Sequence, residues 1–376
     1  MLYFDNCATT RVDDAVQAVV DEYNRCKYFN PSSLHKFSLG VSRDIAQAKE
    51  NILSLLKGDG DIVFTSGGTE VNNLALSSVL TVKKGNIIIS AGEHSSVFNY
   101  ARHLSQKGYE LRICPLLADG SVNIEAFSSL IDGKTLLAAF MHVNNETGAV
   151  NDIARAAKVL KNANPRALFF ADGIQAVGKI DVNLKALGVD LYSFSGHKIH
   201  APKGIGGLYA AKGKKISPMI FGGNQQDGKR SGTENVSGII ALSKALSLAV
   251  GNIQKNTVDF MSYSSHLADN FEKLGGFIKI CQNTSPAVFS CAFYGIESQI
   301  LLNMLEEQNI VIGLGSACNG KNASRVVKEI NLDKNYRQGV IRIGFSKYND
   351  FEQVKILSQS ICAFVQEIRN VKGVII

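Results

Sequence analysis

Five short stretches of this chain carry residues whose types could do chemistry. In SGHKIHAPKG, Lys198 follows His197 at the end of the apolar run LYSFS. An amine on a half-dry rim gives up its proton more easily than one in water and can then attack a carbonyl; an amine on an exposed loop does neither. Asp172 closes the run LFFA and raises the opposite problem. A carboxylate there needs an arginine, helix-cap donors or a protonated ring nitrogen beside it. Gly68 and Thr69 lie in SGGTE, which is either a plain strand-to-helix turn or a helix N-terminus open to a phosphate. Arg342 in GVIRIGF and Cys318 in GLGSACNGK complete the set. The arginine fork suits a carboxylate ligand, or pairs with a local acid. The cysteine, amid glycines and polar residues, is expected on an exposed, mobile loop, unlike Cys291 within FSCAF.

Strand-like runs position these groups. DIVFT (61–65), NIIIS (86–90), LLAAFMHV (136–143), ALFFAD (167–172) and DLYSFS (190–195) are apolar on both faces, as parallel strands covered by helices must be. Helical segments alternate with them, such as Ile153 to Asn162 before Pro165. The alternation predicts an α/β fold with a three-layer, mainly parallel sheet. From about residue 255 the rhythm changes to IKIC, AVFSCAF, a helix from Glu297, GVIRIGF and a last helix from Asp350. That predicts a smaller α+β domain. The expected division is residues 15–255 for the large domain and 1–14 with 256–376 for the small one. Ligands of open parallel sheets gather at the carboxyl ends of strands, where Thr69, Glu70, His94, Asn145, Asp172, His197 and Lys198 form one rim. Pyridoxal 5′-phosphate answers all three local problems at once, with an aldehyde for the lysine, a ring nitrogen for the carboxylate and a phosphate for the glycine turn.

Composition narrows the class. The chain has 376 residues, 45% of them hydrophobic, enough for two cores. Its net charge of +7 is spread in ones and twos, so no nucleic-acid module is expected. No apolar window reaches membrane-spanning length, and MLYFDNCATTRVDD does not read as a secretion signal; a cytoplasmic protein without membrane contact is expected. Seven scattered cysteines without CxxC spacing indicate neither a disulfide framework nor a metal site.

DNCATT (5–10), NPSSLHKF (30–37), FTSGGTEVNN (64–73), EHSSV (93–97), HVNNETG (142–148), ADGIQAVGK (171–179), SFSGHKIHAPKGIGGLY (193–209), GGNQQDGKRSGTEN (222–235), GSAC (315–318) and IRIGFS (341–346) occur in one order along the chain. Together they resemble the cysteine desulfurases of the nitrogen-fixation and iron–sulfur-assembly type, class V relatives of the aspartate-aminotransferase-like fold-type I enzymes. The resemblance implies that Lys198 carries the cofactor aldehyde and Asp172 pairs with the ring nitrogen. It implies that His94 stacks on the ring and moves protons, and that Asn145 and Gln175 bond the ring's phenolic oxygen. Gly68, Thr69, Ser195 and His197 would hold the phosphate, with Thr233 reaching the site of a neighbouring subunit in a homodimer. Arg342 and Asn145 would bind the substrate, L-cysteine. Cys318 would take its sulfur as a persulfide, releasing alanine, for an acceptor protein serving iron–sulfur clusters or tRNA thiolation. A selenocysteine lyase, another class V transferase or lyase, and a silent docking relative remain alternatives. Two departures stand out: NGKNASRVV after GSAC is about two residues shorter than the family pattern and lacks its proline, and Cys7 replaces the usual alanine. Cys7 is expected to pack.

Overall fold

The computed structural model describes residues 1–82, 84–315 and 324–374. Twelve strands are present among them: β1 (Leu2–Phe4), β2 (Asp61–Thr65), β3 (Asn86–Ser90), β4 (Glu110–Cys114), β5 (Thr135–Met141), β6 (Leu168–Asp172), β7 (Leu191–Ser195), β8 (Gly206–Ala210), β9 (Phe277–Lys279), β10 (Val288–Phe293), β11 (Ile310–Leu314) and β12 (Val340–Gly344). Seven form one sheet in the order β2-β8-β7-β6-β5-β3-β4, parallel except for β8. The other five form a second sheet, β1-β11-β12-β10-β9, in which β1 runs parallel to β11 and the remaining pairs are antiparallel.

The apolar-on-both-faces pattern has the consequence expected of it. Along β3, β5 and β6 the residues Ile87, Ile89, Leu137, Ala139 and Phe170 enter one core, while Ile88, Ala138, Phe140, Phe169 and Ala171 enter the other. The large sheet is the middle of three layers. Phe140 sits at the centre of the second core, with its ring 4.7 Å from Phe127 and 5.7 Å from Phe169. The smaller sheet has its own core, in which Phe260, Tyr263, Leu267 and Phe271 of the helix Ile253–Leu274 join Phe289, Phe293, Leu357 and Ile361.

Two strands of the large sheet escape the sequence pattern. β8 reads GGLYA, and its paired glycines hide it from propensity. They are required: a Cβ on Gly207 would lie 2.4 Å from the Phe194 ring on the neighbouring strand. β4 is an edge strand, only its last residue buried, so it lacks the two-faced apolar signature.

The sheets are joined by the segment after β1. Asp5 bridges to Gly344 at the end of β12, Asn6 Nδ2 donates to the Gly344 carbonyl at 2.8 Å, and Thr10 N donates to the His197 carbonyl at 2.9 Å. Residues 5–10 therefore run from the edge of one sheet to the rim of the other. No single helix among the described residues is long and apolar enough to cross a membrane.

Replacing Phe140 by alanine removes the centre of the aromatic cluster and is expected to cost about 3–5 kcal/mol in urea unfolding. A loss below about 1 kcal/mol would mean this core is not packed as described.

Candidate active site

Five of the parallel strands, β2, β3, β5, β6 and β7, each lead to a polar residue at the same rim. β6 ends on Asp172, which is buried. Its Oδ2 accepts from Asn72 Nδ2 at 2.8 Å; its Oδ1 accepts from the Ile174 amide at 3.0 Å and from Ser193 Oγ at 3.4 Å. No lysine or arginine reaches it among the described residues. Burial pushes its carboxyl up, and the Ile174 amide and the nearby His94 oppose that push. Of the partners considered for this acid, cap-like backbone and amide donors are the ones this chain supplies, and none of these donors carries a charge.

His94 caps the helix Ser95–Gln106 by accepting from the Ser96 amide at 3.1 Å. Ser96 Oγ lies 2.8 Å from His94 Nδ1 and accepts from Asn72 Nδ2 at 2.9 Å. Asn72 and Ser96 thus tie the histidine to the acid. Burial holds the His94 ring below the ordinary imidazole range, and Lys198 adds to that against the pull of Asp172. With Nδ1 occupied by donors, the neutral ring keeps its proton on Nε2.

Lys198 follows β7 in a short 3₁₀ turn. Its amine donates to the carbonyls of Cys7 at 2.7 Å and Ala8 at 2.6 Å. Burial, then the charge of Lys179, pushes it down to about 8. It is half-buried, as its reading as a rim amine requires. His197, whose Nδ1 is 3.2 Å from Thr9 Oγ1, is lowered to about 4 by burial and then by Lys198, and is neutral at physiological pH.

The glycine turn opens the helix Gly68–Ser77 with Gly67 at φ 146°, a value that favours glycine, and no side chain caps the first amides. Glu70 is turned back onto Ser66 N at 2.8 Å and Arg230 Nε at 2.9 Å. A Cβ on Gly68 would lie 3.8 Å from the Ser195 Cβ, and Ser195 Oγ is buried with no partner among the described residues. Thr69 is exposed at the same turn. An uncapped helix start beside an orphaned hydroxyl fits a phosphate.

From the small sheet, β12 contributes Arg342, buried to 4% exposure. Its Nη2 pairs with Asp5 at 2.8 Å, its Nη1 donates to the Asn145 carbonyl at 2.6 Å, and its Nε has no partner among the described residues. The local acid expected as the bland alternative is present, and one edge of the fork is still free. The Asn145 side chain is half-buried at this junction. Gln175 Nε2 donates to the Cys7 carbonyl at 2.8 Å and its Oε1 accepts from Lys179 at 2.5 Å. Thr233 is exposed and lines a separate hollow with Ser66, Gly204 and Arg230. Cys318 lies outside the described residues. Cys7 is buried, and a Cβ on Gly344 would lie 2.7 Å from its Sγ, so it packs where the strand carries no side chain. Cys291 is buried, as expected.

Sequence reasoning missed several groups. Asn72 stood in a quoted motif without a role, and Asp5, Ser96, Lys179, Glu93 and Arg325 went unassigned. Glu93 directly precedes His94 and is buried. Its Oε1 accepts from Ser90 Oγ at 2.5 Å and Met141 N at 2.8 Å, while Oε2 has no partner among the described residues. Burial, opposed first by the Ser90 hydroxyl, raises its carboxyl to about 8. Arg325 Nε donates to the Ala91 carbonyl at 2.8 Å, its Nη2 donates to the Glu93 carbonyl, and its guanidinium sits 3.7 Å over the Phe98 ring.

The geometry finds its counterpart in known proteins. The model of the Aminotransferase class-V family matches residues 2–357. The chain belongs to the class-V aminotransferase family. A cysteine desulfurase of Bradyrhizobium diazoefficiens is 33% identical over 370 residues, covering 96% of this chain and 93% of that protein. Among solved structures, a NifS-like protein superposes with a TM-score of 0.92 at 33% identity, over 97% of this chain and 99% of that one. The structure of SspA in complex with cysteine superposes with a TM-score of 0.80 at 28% identity, over 93% and 100% of the two chains.

Glu93 makes stability depend on pH with a definite sign. Unfolded, it ionises near 4.5; folded, only near 8, so its contribution is complete below the lower value and is lost as pH rises between them. Glu93→Gln is expected to remove this slope, narrowing the difference from wild type measured at pH 5 by roughly 2–4 kcal/mol at pH 8 in denaturant titrations. Parallel pH profiles for the two proteins would show that Glu93 is ionised in the fold.

Proposed function

We propose that this protein is a pyridoxal 5′-phosphate-dependent cysteine desulfurase that converts L-cysteine to L-alanine and keeps the sulfur as a persulfide on Cys318. The observation that carries the reading is the convergence of three unmet needs on one rim: the buried Asp172 without a cation, the half-dry amine of Lys198, and the orphaned Ser195 hydroxyl at an uncapped helix start. The cofactor fits each of them. Lys198 would carry its aldehyde, Asp172 its ring nitrogen and His94 its ring face. Asn145 and Gln175 would hold its phenolic oxygen, and Gly68, Thr69, Ser195 and His197 its phosphate. When bound, it supplies a sink for the electron pair left by α-deprotonation.

The chain's own residues do the rest. Arg342 would pair with the substrate carboxylate, and Asp5 and the Asn145 carbonyl keep its guanidinium from rotating. The Lys198 amine, near 8, has a substantial unprotonated fraction at neutral pH and takes the α-proton. His94 Nε2 returns a proton to the departing product. The Cys318 thiolate attacks the substrate sulfur; the sulfur–sulfur bond forms as the carbon–sulfur bond breaks, leaving Cys318 persulfide and alanine. The reach of Cys318 is supported by β11, which pairs Gly313 with Arg342 and delivers the chain to Gly315 next to that arginine's strand.

The division proposed for the chain, 15–255 and 1–14 with 256–376, puts this site at the junction of the two units. A homodimer sharing Thr233 between sites, a sulfur-acceptor protein for cluster assembly or tRNA thiolation, and a cytoplasmic setting belong to the same reading. The six cysteines among the described residues are all unpaired, which suits a reducing compartment.

Purified protein supplied with the cofactor is expected to be yellow, and Lys198→Ala colourless. Cys318→Ser is expected to stay yellow while alanine formation from cysteine falls at least about a hundredfold. Undiminished turnover in Cys318→Ser would instead favour a lyase that does not use this thiol.

A further inference from the structure

Lys179 is a second buried-side lysine at the same rim, and the reaction outlined above does not use it. Among the described residues no carboxylate lies within ion-pair distance of it, and its amine instead donates to Gln175 Oε1 at 2.5 Å. Gln175 passes that contact on: its Nε2 donates to the Cys7 carbonyl at 2.8 Å, and the same carbonyl accepts from Lys198 at 2.7 Å. Gln175 is buried, so its amide cannot exchange either partner for water. Two ammonium groups therefore share a neutral bridge in a half-dry cavity that both line. Like charges so placed disfavour each other, and the group with the weaker hold on its proton yields it.

We propose that Lys179 is a positioning residue for Lys198, aiming its amine through Gln175 and the Cys7 carbonyl and holding it as the free base by like-charge repulsion. The inference rests on the reading of Lys198 as the cofactor lysine. The other charged or titratable groups facing Lys198 do not replace this effect. Asp5 is engaged by Arg342, and Cys7 and Asp5 act in the opposite direction. Arg342 is a weaker influence on Lys198 than Lys179, and His94 and His197 are both lowered towards neutrality. Burial lowers Lys179 as well. Replacing Lys179 by a neutral residue takes away a cation and so raises the pH at which Lys198 loses its proton.

The test is competitive acetylation of the full-length, cofactor-stripped protein across pH, read by peptide mass spectrometry at Lys198, with exposed Lys185 as reference. Wild type is expected to show a midpoint near 8 at Lys198. Lys179→Met and Lys179→Gln are expected to raise it by about one unit, slowing relative labelling near pH 7 roughly tenfold, while Lys179→Arg keeps the wild-type midpoint. An unchanged midpoint in the Met and Gln variants, or an equal shift in Lys179→Arg, would overturn the proposal. Borohydride reduction of wild type loaded with pyridoxal 5′-phosphate separates the two readings: an adduct on a lysine other than Lys198 overturns the functional reading, whatever the labelling shows of the coupling.

Discussion

A carboxylate at the dry end of a parallel strand is the constraint on which the rest of this structure depends. Asp172 is expensive where it stands, because the strands to either side and the helix Gly68–Ser77 exclude the water that would solvate it. Three donors reduce the cost without neutralising it. One of them, Asn72, also grips Ser96, and Ser96 fixes the ring of His94. Acid, amide, hydroxyl and imidazole are thus one network, anchored on a helix start on one side and a helix cap on the other. Such a network orders its members for a cationic ring and leaves them poorly satisfied without one.

Around that anchor the charges are arranged by segregation. The acid is deep in the large sheet, whereas the cations Lys198, Lys179 and Arg342 gather where the two sheets meet. Residues 5–10 make that meeting possible: their carbonyls take the Lys198 amine, and Asp5 takes one edge of Arg342. The segment is short and comes from the far end of the chain, so the amine is held by backbone carbonyls, and the arginine by a carboxylate, that neither of their own strands supplies. Fold and site are coupled at this point, since moving one sheet against the other would move the substrate-binding guanidinium relative to the amine.

Much of this was legible in the sequence, and for a physical reason. Strands buried on both faces must be apolar throughout, so any polar residue at their ends is conspicuous, and His94, Asn145, Asp172, His197 and Lys198 all declare themselves that way. The contacts that tune them are not local. Asn72 meets Asp172 across 100 positions, and Lys198 meets Cys7 across 191; no periodicity records such pairings. Glu93 reads as an ordinary solvated acid before a helix, and only packing shows it buried. β8 was lost because the glycines that let it lie against Phe194 are the residues least associated with strands. The resemblance of the motifs reached further than the physics of any one of them, since it joined residues that the chain itself brings together only by folding.

The most direct test is calorimetric. Pyridoxal 5′-phosphate and an analogue whose ring nitrogen is replaced by carbon would be titrated into wild type and Asp172→Asn. Wild type is expected to bind the natural cofactor at least about tenfold more tightly than the analogue, and the variant to lose that preference. Equal affinities of wild type for the two compounds would contradict the claim that a buried carboxylate waiting for a ring cation organises the site.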